Sequence, residues 1–66
     1  MEQVEVAIEA AYEAHVTALY KVLSQSILVA NGIESEIVAA QDRFKRGLEF
    51  AASVRALARE AAGLEA

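Results

Sequence analysis

Val29-Ala30-Asn31-Gly32-Ile33-Glu34-Ser35-Glu36 holds the one turn-like pair in a proline-free chain of 66 residues. Asn-Gly closes β-hairpins when its flanks alternate apolar and polar with period two. These flanks are rich in alanine and glutamate, and their apolar residues recur at helical spacing. Gly32 is therefore expected to take the left-handed conformation that stops a first helix, with Ile33 folding back over its last turn. Asn31 with Glu34, or Ser35 alone, is the candidate cap of a second helix. The sequence predicts an all-α antiparallel helical hairpin in a single domain, 1–66. Helix 1 spans about 2–30, the turn about 31–34 and helix 2 about 35–63, each arm roughly 45 Å long.

Outward from the turn, the second arm carries an unbroken 3-4 repeat: Ile37, Ala40, Phe44, Gly47, Ala51, Val54, Ala58 and Ala61. That is the period of a left-handed bundle seam. Most of these side chains are small, which lets helix backbones approach toward the short end of the usual 8–10 Å. Gly47 costs about 1 kcal/mol of helix propensity relative to alanine, so a close neighbour is expected there. The first arm shows Val4, Ile8, Ala11, His15, Ala18, Val22 and Val29 along one side. Tyr12, Val16, Leu19, Leu23, Ile27 and Ala30 widen that side to about half the circumference. The predicted intrachain seam sets Ile8, His15 and Val22 against Ile37, Phe44, Gly47, Ala51 and Val54. The remaining rows are Tyr12, Val16, Leu19, Leu23 and Ile27 on the first arm, with Phe50, Leu57 and Leu64 on the second. They exceed what one partner helix covers and are predicted to form an interface that pairs two hairpins into a four-helix bundle. With the turn centred near residue 32, Glu5 faces Arg59 and Glu9 faces Arg55.

Composition narrows the function. A chain this short buries only about 60% of the surface that its unfolded state exposes, and usually relies on disulfides, a metal or self-association. It has no cysteine and one histidine, which removes disulfides, thiolate zinc sites, cysteine nucleophiles and multi-histidine sites within one chain. His15 lacks the glutamate three residues earlier that di-metal bundles use, because that position is Tyr12. Ser26 and His15 are separated by about 16 Å along one helix, too far for a catalytic pair. No catalytic, metal or cofactor site is expected. The net charge of −4 argues against a phosphate-tracking surface. Arg43, Lys45 and Arg46 form the one basic cluster and point in three directions around the helix; they are the candidate nucleic-acid contacts. The uncharged run Val22 to Ile33 is shorter than the roughly 20 residues that span a bilayer. The acidic start lacks a signal-peptide pattern, so a cytoplasmic, membrane-free protein is expected.

The stretch Phe44-Lys45-Arg46-Gly47-Leu48-Glu49-Phe50-Ala51 resembles the second-helix signature of exonuclease VII small subunits, and Tyr12, Val16, Leu19 and Val22 resemble their first helix. The central turn and the placement of Leu48-Glu49 are similar to small hairpin co-chaperones of type III secretion needles. Both resemblances imply a non-catalytic helical hairpin that works as a small subunit or co-chaperone bound to a larger partner. The expected function is a non-enzymatic interaction, adaptor or regulatory protein that homodimerises and binds a protein partner through apolar helix faces. The alternative is a Rop-like RNA- or DNA-binding regulator acting through Arg43, Lys45 and Arg46.

Overall fold

The computed structural model describes residues 2–64. Helix α1 runs Glu2–Ala30 and helix α2 runs Glu34–Ala61, packed against each other as an antiparallel hairpin. The hairpin measures 47 × 16 × 11 Å, so its length is that of one long helix and its thickness that of a single layer.

Both residues of the Asn-Gly pair make the reversal. Asn31 has φ 51° and Gly32 φ 81°, consecutive left-handed residues of the kind asparagine and glycine tolerate best. Ile33 N–H donates to the Ala30 carbonyl at 2.9 Å, which satisfies an end of α1. The capping position then falls to Ile33, at φ −76° and ψ 112°, with no side-chain cap. Neither Asn31 nor Ser35 acts as the expected cap. The Ile33 carbonyl accepts from the N–H groups of Glu36 and Ile37, and Glu34 and Glu36 place negative charge in the first turn of α2. Ile33 itself stays exposed and does not cover the end of α1. At the far end, Gly63 (φ 75°) closes α2. Its N–H donates to the Glu60 carbonyl, and Leu64 N–H donates to that of Arg59 at 2.9 Å. These two bonds make a Schellman motif and end the helix at Ala61, two residues before the expected limit.

Three alanines are fully buried between the helices: Ala30, Ala40 and Ala51. Gly47 sits in the same line. A Cβ built on Gly47 would lie 2.7 Å from Leu19 Cδ2, so the Leu19 side chain occupies the space a larger residue would need. The expected close neighbour is therefore present, and it is Leu19. Around this line Tyr12, Val16, Leu19, Leu23, Ile27, Ile37, Phe44 and Leu48 are half-buried.

The seam differs from the predicted one on α1. Ile8 and His15 are half-buried as expected, but Val22 is 60% exposed and Val29 is exposed as well. A row spaced by seven residues falls back about 20° per heptad on a straight helix, and the row from Ile8 drifts out of the seam. Its place is taken by Tyr12, Val16, Leu19 and Leu23, residues predicted to meet another chain. On α2 the same drift leaves Val54 42% exposed, while Arg55, Ala58 and Ala62 turn inward.

Gly47→Ala is expected to change stability by less than about 1 kcal/mol, because the helix-propensity gain offsets the displacement of the movable Leu19 methyls. Gly47→Leu overpacks the seam and should cost about 1–3 kcal/mol by urea titration followed by helical circular dichroism.

Candidate interaction surface

The drift of the α1 row has a structural consequence. Val4, Ile8, Ala11, His15, Ala18, Val22 and Val29 lie on one flank of the seam, and Phe50, Val54, Leu57 and Ala61 of α2 lie on the same side. The link between the two flanks is direct. The His15 and Phe50 rings meet edge-on, with centroids 6.3 Å apart and planes at 82°. Among the described residues the His15 side chain makes no hydrogen bond and no ion pair. Toward the chain ends, Ile8, Ala11, His15, Ala51 and Val54 line an open groove of about 170 Å³. Toward the turn, a wider and more polar depression of about 400 Å³ runs between Val22, Gln25, Ser26 and Val29 on α1 and Glu36, Ala39 and Arg43 on α2. Phe50 is 64% exposed and Leu57 61%, both projecting from this face.

The other edge of the seam is charged. Arg55 Nε donates to both carboxylate oxygens of Glu9, at 2.8 and 2.9 Å. Arg59 reaches Glu5 at 3.1 Å and Glu9 at 3.5 Å. Glu9–Arg55 and Glu5–Arg59 are the pairs that the turn position predicted; the contact of Arg59 with Glu9 is additional. The Arg55 guanidinium also stands 5.2 Å from the centre of the Tyr12 ring, a cation–π contact that was not foreseen from the sequence. Tyr12 and Arg55 do not pair by number alone; the contact arises because both turn into the seam. The hydrogen bond from Arg55 holds the Glu9 carboxyl below its ordinary pKa, against a smaller opposing effect of desolvation, with Arg59 adding to the same lowering.

The predicted site residues divide accordingly. Phe50 and Leu57 stand outward on the apolar face, and Tyr12, Val16, Leu19, Leu23 and Ile27 turn toward α2. Leu64 does not continue the row from Phe50 and Leu57, because the Schellman turn takes it off the helix and leaves it half-buried. In its stead Val54 and Ala61 complete the α2 side. Sequence reasoning missed the outward role of Val22, Val29 and Val54; the signal was the accumulated angle of each seven-residue row. The basic cluster stays dispersed. Arg46 is paired with Asp42 one turn earlier, and all three bases are exposed. Ser26 lies on the turn-side depression, away from His15. Among the described residues there is no cluster of histidine and carboxylates fit to hold a metal ion, and no helix is long and apolar enough to cross a membrane. No family model, curated protein or solved structure matches this chain.

The lowered Glu9 pKa gives a signed pH dependence. A carboxylate with a depressed folded-state pKa adds stability above its unfolded value and loses it as pH falls through the folded one. Wild type should therefore lose stability as pH drops from the ordinary carboxylate range downward, and Glu9→Gln should show a shallower acid limb in denaturant midpoints measured from pH 7 to pH 3.

Proposed function

We propose that this chain is a non-enzymatic helical interaction protein that self-associates through its apolar face, giving a four-helix bundle that serves as an adaptor or regulatory module. The observation that carries this reading is the exposure of Val22, Phe50, Val54 and Leu57 on one side of a hairpin whose fully buried residues are three alanines. A 7.1 kDa globular monomer is expected to expose about 4,100 Å². This hairpin exposes 4956 Å². The surplus, roughly 900 Å², is close to the ~800 Å² that each partner contributes to a stable protein–protein interface. The radius of gyration, 15.0 Å, likewise exceeds the ~11 Å of a compact domain of this length. A large exposed apolar patch on a small chain marks an interaction site. The dispersed basic residues and the net negative charge favour this reading over nucleic-acid binding.

Sedimentation at micromolar concentration should find twice the 7.1 kDa chain mass. Leu57→Glu, which sets a charge in the face to be desolvated, should sediment as a monomer and lose most of its helical circular dichroism signal. A wild-type monomer of full helicity at high concentration would overturn the reading.

A further inference from the structure

We propose that the occupant of the apolar face is a second copy of this chain packed antiparallel, with the two turns at opposite ends and the two-fold axis crossing the hairpin beside the His15–Phe50 contact. This inference rests on the self-association reading and specifies its geometry.

Area comes first. The hairpin is 47 Å long and 16 Å wide, so only overlap along its whole length supplies the ~800 Å² per partner of a stable interface. Full overlap places the symmetry axis near the middle of the hairpin, where His15 meets Phe50. Two stackings then remain, with the turns at the same end or at opposite ends.

Charge separates them. The terminal half of the hairpin, residues 2–13 with 52–64, carries five carboxylates against Arg55 and Arg59, whereas residues 14–51 carry equal numbers of acids and bases. Stacking with the turns together sets two net-negative halves side by side. The antiparallel stacking places each against the neutral half of the other copy. It also separates Lys21 of one chain from Arg43 of the other, with which it would otherwise lie level; Arg46, close to the axis on α2, keeps its charge paired with Asp42.

The α1 row fits the same operation. An axis crossing α1 between Val16 and Thr17 brings Val4 opposite Val29, Ala11 opposite Val22 and His15 opposite Ala18 of the second copy. In the two inner pairs an alanine meets a larger residue, the alternation that lets facing layers interdigitate. On α2, Phe50 lies next to its own symmetry mate. Leu57 reaches the level of Ala39, which lines the turn-side depression.

The chain has no cysteine, so single cysteines report orientation without background. Spin labels on Ser35→Cys, exposed beside the turn, should lie roughly 40 Å apart in the antiparallel dimer at 1.5 Å per residue. Ala18→Cys should oxidise to a covalent dimer, since two α1 helices face each other near the axis. A sedimenting dimer whose Ser35 labels lie within about 20 Å, or whose Ala18→Cys form fails to cross-link, overturns this inference and leaves self-association standing. A monomer in sedimentation overturns both and leaves the face to a helix of another chain.

Discussion

Two straight helices touch along a single line, and every other property of this molecule follows from how narrow that line is. Alanine at positions 30, 40 and 51 and glycine at 47 let the backbones close on each other, and Leu19 fills the notch opposite Gly47. Close approach improves dispersion contact between the main chains, but it leaves little width in which to enclose a large side chain. The leucines, valines and aromatics that make up the apolar content are therefore half-buried at best. The chain is held together by its smallest residues and surrounded by its largest ones.

Register is set at both ends by different physics. At the turn, two consecutive left-handed residues reverse the chain, and the main chain satisfies itself without a side-chain cap. At the open end, Glu5 and Glu9 meet Arg55 and Arg59 across the helices. Partly exposed pairs of this kind contribute only about 0–1 kcal/mol each, too little to hold the fold. Their effect is selective, because a slip of one residue would swing these arginines away from their carboxylates. Stacking of Arg55 on Tyr12 fixes the same side chain from a second direction.

The resulting scaffold has two unlike edges. One is charged and internally paired; the other is apolar from the open end to Phe50 and runs on to the turn as a depression bordered by Glu36 and Arg43. What the second edge offers is area and shape on two rigid helices, which is the chemistry of recognition between helices. Its extent, set beside the surface surplus of the hairpin, links the packing of the core to the proposed assembly.

The helices, the turn and the pairing of Glu5 and Glu9 with Arg55 and Arg59 were determined by the sequence, because each depends on local propensity or on counting from Gly32. The place of a tight contact at Gly47 was also legible, since a glycine inside a helix costs stability unless a neighbour uses the space. The division of apolar rows between inside and outside was decided only in the tertiary structure. A seven-residue row drifts by about 20° per heptad, so within about four to six turns of Ile8 the row has carried Val22 and Val29 out of the seam that Ile8 and His15 enter. Likewise the Schellman turn at Gly63 removed Leu64 from a row that spacing alone had continued through it. Sequence counts positions along one helix; which of them face inward depends on where the second helix lies.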